Sequence, residues 1–292
     1  MVCRNWSVDN PPAIPYIFPV HHQDALLHDG LELLTQLRAH RALWSTITYL
    51  PETTPQNSTR DAHALARLQL AWALERHFLP PDAPLLRFAL EEEVKWRHED
   101  PWQGIGETLE ILAHLTASLR DVHDVWLLAR AKNANFDTHC GFDRRHLCAS
   151  GITTTLAYVR ASNHPEKKSV LELLVDEQGS PHFDDDDITS WLARRAEHQS
   201  LTPDEMSRVW FERALALGRI DIASQLLDQQ MLRGPRDPSS LCDYAQDLET
   251  LERWPEASAL RKQCFDTIED VFDQASEAAR IARLERLAKN TD

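Results

Sequence analysis

The chain has 292 residues, 46 acidic and 31 basic, for a formal net charge of −15, so it is long enough for one large domain or two ordinary ones around a continuous core. An acidic surface repels phosphate backbones and anionic headgroups, which argues against nucleic acid or a membrane as direct partner. Eight glycines, fewer than half of what a usage of about 7% would give, together with recurring Ala/Leu/Glu/Arg-rich stretches, favour helices over hairpins and nucleotide-binding loops.

The first twenty residues, "MVCRNWSVDNPPAIPYIFPV", are broken by four prolines and have no basic stretch leading into an apolar segment, so they do not read as a signal peptide. We read residues 1–20 as an extended arm, with Trp6, Tyr16, Ile17 and Phe18 available to pack onto a body. No run approaches the roughly 18 apolar residues that span a bilayer. Cys3, Cys140, Cys148, Cys242 and Cys264 are odd in number and scattered, which fits a soluble protein of the reducing cytoplasm better than a disulfide framework.

Residues 21–180 read as an array of antiparallel helices. Leu26, Leu27, Leu31, Leu34 and Leu37 recur at helical steps, and Gly30 weakens that helix without ending it. "PETTPQNSTR" is a polar loop ending in an N-cap candidate, Ser58 or Thr59, before a helix striped by Leu65, Leu68 and Trp72 with Ala64 and Ala71 alongside. "LPPDAPL" breaks the chain before a shorter helix through Val94 and Trp96 that runs to Asp100-Pro101. Ile105, Leu109, Leu112, Leu115 and Leu119 then mark an amphipathic helix, followed by "VHDVWLLARA". Ile152 to Thr155 is β-branched enough for a strand, yet Ile152, Leu156 and Val159 fit one helix face, and we read it as helix.

Residues 181–292 begin in the acidic loop "DEQGSPHFDDDD", where Asp187 or a neighbour caps "ITSWLARRAEH". Beyond it, "LCDYAQDLETLERWPEASALRKQCFD" superposes without a gap on the stretch 34 residues earlier, "SRVWFERALALGRIDIASQLLDQQML". Tyr244 falls on Trp210, Leu251 on Leu217, Trp254 on Ile220, Ala257 on Ala223, Ser258 on Ser224 and Leu260 on Leu226. The alanine early in each second helix is small where two helices cross closely. This spacing and this small residue resemble tetratricopeptide repeats over about residues 203–274, with Ala278, Ala279 and Ala282 in a terminal capping helix. The departures are Glu252 where Gly218 stands in the first turn, a bulky Phe211, and the missing terminal proline.

Catalytic signatures are scarce. The phosphate-binding, dinucleotide-binding, nucleophile-elbow and H-E-x-x-H patterns are all missing. In "HCGFDRRHLC" the H-C-x5-R phosphatase pattern would need an arginine where His146 stands. His139, Cys140, His146 and Cys148 are potential soft ligands, but Cys140 and Cys148 are too widely spaced for the usual zinc pair. "FDDDD" lacks the register of a calcium loop. No cofactor and no metal is therefore expected. An enzyme with a dispersed site around His139, Asp143, Arg144 and His146 is the alternative that these residues leave open.

Two acidic clusters are candidate partner-binding residues: Asp184, Asp185, Asp186 and Asp187 in the loop, and Asp266, Glu269, Asp270 and Asp273 at i, i+3, i+4 and i+7 on one helix face, with only Lys262 placed to neutralise an end. A basic partner would relieve their mutual repulsion; exposure to screening solvent is the other reading. Small, acidic, helical, cytosolic proteins without catalytic motifs are similar in character to bacterial immunity proteins, which implies binding to a basic toxin. A tetratricopeptide-type adaptor, scaffold or chaperone is the alternative within binding proteins.

Overall fold

The computed structural model describes residues 20–54, 59–102, 104–198, 203–265 and 271–289. Over these the protein is all-α, apart from one two-stranded hairpin and an isolated bridge between Val175 and Pro181. The arm expected over residues 1–20 lies outside the described residues up to Val20. The chain divides into two compact units, Leu27–Ser200 and Leu201–Asp292 with Met1–Leu26. Among the described residues no helix is long and apolar enough to cross a membrane.

Helix α1 (Val20–Ala39) buries Leu26, Leu27, Leu34 and Leu37, while Leu31, the other position its periodicity marks, is only partly buried. Gly30 faces α2 (Ala64–His77) so closely that a Cβ on it would stand 2.4 Å from the carbonyl oxygen of Gln69. The glycine is there for that approach, despite its cost in helix propensity.

The segment expected as a plain loop forms a hairpin of β1 (Pro51–Thr53) and β2 (Thr59–Asp61), with Glu52 opposite Arg60 and an ion pair between them at 2.8 Å. Thr59 is thus a strand residue paired with Thr53 rather than an N-cap, and Ser58 lies outside the described residues. Helix α2 starts at Ala64, and Asp61 turns the chain into it by accepting the N–H groups of Leu50 and His63, each at 3.0 Å.

The predicted stripe of α2 is corrected in one place. Leu65 is half-exposed, whereas Arg67 is fully buried. Its guanidinium bonds Asp61 on one side and Glu93 on the other, the latter at 2.9 Å, and Glu93 in turn accepts Arg97 at 2.7 Å. The ring of Trp96 lies against both guanidinium groups, 5.6 Å from Arg67 and 4.4 Å from Arg97. Two cations and two carboxylates balance, as charges taken out of water must.

Helix α3 (Ala83–Glu99) starts inside the segment that was expected to break the chain, because Pro84 sits in its first turn, where its missing N–H is not needed. It packs on α4 (Glu107–Ser118) and α5 (Val125–Lys132), and α4 also packs on α2, where Trp72 donates its indole N–H to Glu107 at 3.0 Å. Ile105 precedes α4 rather than opening its stripe. The middle of the chain is a short α6 (Phe136–Gly141), a 3-10 turn over Arg144–Cys148, and α7 (Ile152–Ala161), so Ile152–Thr155 is helix. Helices α8 (Lys167–Leu174) and α9 (Asp185–His198) complete this unit.

The second unit contains α10 (Pro203–Ala216), α11 (Ile220–Arg233), α12 (Pro238–Thr250), α13 (Trp254–Phe265) and α14 (Val271–Lys289). Two of its turns repeat at the 34-residue interval. Leu217, Gly218 and Arg219 donate their N–H groups to the carbonyls of Arg213, Leu215 and Ala214; Leu251, Glu252 and Arg253 do the same to Asp247, Glu249 and Leu248. Gly218 and Glu252 both take left-handed backbone, with φ of 66° and 57°. Glu252 thus performs the glycine's turn at a steric cost.

The buried positions recur in part. Trp210 and Tyr244 are core, Ala223 and Ala257 are fully buried, but Ile220 is half-exposed. Helix α14 packs on α13, with Leu284 buried and Glu277 accepting Arg261 at 3.0 Å. Ala278, Ala279 and Ala282 are exposed, so the expected alanine crossing is not how this helix docks.

Candidate functional site

The segment around His139–Cys148 is built on two caps. Asn135 opens α6 by accepting the Thr138 N–H at 2.8 Å, and the Thr138 hydroxyl accepts the Asn135 N–H at 2.9 Å. At the other end the buried ammonium of Lys132 donates to the carbonyls of His139 and Phe142, the latter at 2.7 Å. A cation there answers the negative end of the helix and its open carbonyls. Burial first, then the charge of Arg144, hold the Lys132 pKa below the ordinary lysine value.

Asp143 caps the following turn. Its carboxylate accepts the Arg145 N–H at 3.0 Å and the Arg145 guanidinium at 2.6 Å. Burial pushes the Asp143 carboxyl up, but these hydrogen bonds and the guanidinium charge outweigh it and leave the pKa below the usual carboxylate range.

His146 is buried with its Nδ1–H on the Asp143 carbonyl at 2.8 Å, and its ring lies 4.7 Å from Phe142 and 4.8 Å from Trp191. Cys148 is buried, and desolvation foremost, with the charge of Asp143 behind it, pushes its thiol up to about 12. It is a packing residue rather than a nucleophile at neutral pH. His139 and Cys140 instead stand exposed on α6. The fold therefore separates the two pairs that the sequence sets close together. Among the described residues no three His, Cys, Asp or Glu side chains come together as a metal site.

The loop acids have structural partners. Asp184 and Asp187 cap each other's backbone: the Asp187 N–H reaches the Asp184 carboxylate at 2.7 Å, and the Asp184 N–H reaches that of Asp187 at 3.1 Å. Asp185 crosses to α7, where it accepts the Ile152 N–H and the Thr153 hydroxyl. Asp186 is exposed and makes no hydrogen bond or ion pair among the described residues. Of the second cluster, Asp266, Glu269 and Asp270 lie outside the described residues, and Asp273 falls in α14. Lys262, expected to offset that cluster, pairs with Glu285 at 2.5 Å.

Two exposed aromatics escaped the sequence reading. Trp102 is 91% exposed and Phe136 is 78% exposed. They flank one tie, the hydrogen bond from the Asn135 amide to the Gly104 carbonyl at 3.2 Å. Asp100 and Asp137 are close to them in sequence. Neither aromatic lies on a periodic apolar stripe, so pattern reading passes over both, although a Trp just after the end of a helix is itself a signal.

A comparison of the chain with protein-family models, with curated proteins and with solved structures gives no match.

Proposed function

We propose that the protein acts by binding another protein, and that in its sharpest form it is a cytoplasmic immunity protein that holds a basic antibacterial toxin. The observation that carries this reading is a nearly fully exposed Trp102, with Phe136 beside the same tie, on a chain of net charge −15. Large aromatics left in water are costly and are the side chains that anchor interfaces once covered. Acidity steers a basic partner toward such an anchor. Asp186 adds to that charge in the same unit, and Asp266, Glu269, Asp270 and Asp273 are a separate acidic candidate in the other.

A second reading, a tetratricopeptide-type adaptor, is favoured by the left-handed turns at Gly218 and Glu252 with matching hydrogen bonds 34 residues apart. Repeated hairpins of this kind present extended binding faces.

The test is affinity capture from the native lysate, eluted by a salt gradient, with Trp102→Ala/Phe136→Ala and the charge reversal of Asp266, Glu269, Asp270 and Asp273 run in parallel. The inhibitor reading expects one basic protein, toxic when expressed alone, that is released at high salt and lost from the aromatic variant. Several unrelated partners retained by both variants would favour the adaptor. No partner, together with a turnover abolished by His146→Ala or Cys140→Ala, would replace binding with catalysis.

A further inference from the structure

A cleft of about 470 Å³ opens between α3, the end of α5 and the start of α8. Its apolar lining is Val94, Ala129 and Ala134, all buried. Its volume and mixed lining are those of a small-ligand pocket rather than a packing defect.

The charges around it do not cancel. Of the three basic side chains in the lining, Lys95 is held by Glu92 at 2.6 Å, Arg130 lies 3.7 Å from Glu91, and the imidazole of His98 makes no ion pair among the described residues. The carboxylates of Glu99 and Glu166, also in the lining, have no hydrogen bond or ion pair among the described residues. One oxygen of Glu166, Oε2, is removed from solvent and has no hydrogen-bond donor. A desolvated carboxylate oxygen without a donor is destabilising, and a cationic donor is what relieves it. An anion would meet two uncompensated carboxylates, with Lys95 and Arg130 already engaged and only the His98 imidazole left to face it. A metal ion would need three converging ligands, and no such group occurs among the described residues.

We propose that this cleft is a binding site for an alkyl ammonium or guanidinium group, its methylene stem on Val94, Ala129 and Ala134 and its cationic head on Glu166, with Glu99 behind it. An aliphatic stem with a charged end matches a lining that offers both apolar side chains and uncompensated carboxylates. The group can come from a free small cation or from a lysine or arginine side chain of a protein. The inference does not depend on the inhibitor reading.

Isothermal titration calorimetry on the full chain tests it, with agmatine as the free cation, Nα-acetyl-arginine methylamide as the side-chain mimic and 1-pentanol as the uncharged stem. The expected result is saturable 1:1 binding of a cationic probe, no heat with pentanol, and affinity at least tenfold weaker in Glu166→Gln. Glu99→Gln should weaken binding less, and Glu110→Gln, at an exposed acid outside the lining, should leave it unchanged. Glu166→Gln should also melt no lower than the wild-type chain, because it removes the charge behind a desolvated oxygen that has no donor. Binding of agmatine alone would assign the cleft to free cations; binding of the capped arginine as well would open it to a partner's side chain. Absence of saturable binding by both cationic probes, or equal affinity in wild type, Glu166→Gln and Glu99→Gln, would overturn the proposal.

Discussion

Asp185, in the first turn of α9, accepts the backbone N–H of Ile152, the first residue of α7, at 2.6 Å, and the Thr153 hydroxyl at 2.9 Å. The residue before α7 is Gly151, with φ of 102° and no side chain to cap the helix, so the cap is supplied from 33 residues further along the chain. Asp185→Ala is expected to destabilise the protein by about 1–2 kcal/mol, as loss of an N-cap does. Asp186→Ala, one residue on, should change stability by less than about 0.5 kcal/mol. Urea titrations of the two variants make the comparison.

Arg67 is fully buried between Asp61 and Glu93. Arg67→Ala would leave two carboxylates without their cation in the interior. The expected loss is about 3–5 kcal/mol, enough to unfold a marginal domain. Lys95→Ala, which removes the half-exposed partner of Glu92, should cost no more than about 1 kcal/mol. Denaturant midpoints at neutral pH separate the two.

Asp143 sets an acid limb. Its folded pKa is depressed, so as the pH falls the unfolded chain takes up the proton first. Its contribution to stability is complete above the unfolded carboxylate value, about 4, and is lost as the pH drops through the lower folded value. Asp143→Asn should therefore flatten the decline of stability below pH 4, read as urea midpoints between pH 7 and pH 2.5.

The thiols should divide by environment. Cys140 is exposed, whereas Cys148 and Cys264 are buried. Desolvation in each case, aided by the charge of Asp143 at Cys148 and by Cys242 beside Cys264, raises both thiols to about 12. Iodoacetamide at pH 8 is expected to label Cys140 within minutes and to reach Cys148 and Cys264 only on unfolding. Peptide mapping by mass spectrometry gives the order.

Local regularity made the helices legible. The α1 stripe, the face of α4 through Leu109 and Leu112, and the helix over Ile152–Ala161 all follow from spacing alone. The turn repeat was legible too, because Leu217 and Leu251 stop their helices in the same way. What pattern reading missed depends on distant partners. Arg67 looks like a surface residue until Asp61 and Glu93 arrive from a strand and a second helix. Asp185 looks like a solvated acid until Ile152 is brought beneath it. The pairing of Lys262 with Glu285 has no local signal either, because Glu285 lies on the following helix. The cleft carboxylates Glu99, at the end of α3, and Glu166, just before α8, are far apart in the chain, so no single stretch announces them.

Gly30 carries one more consequence. Helix propensity scores alanine about 1 kcal/mol above glycine in a helix interior, so an engineer choosing stabilising substitutions from propensity would begin there. The new methyl would meet a backbone carbonyl of the neighbouring helix, which cannot rotate out of its way as a side chain can. At this position the usual ranking of residues is inverted, and a library built on it would discard the native choice first.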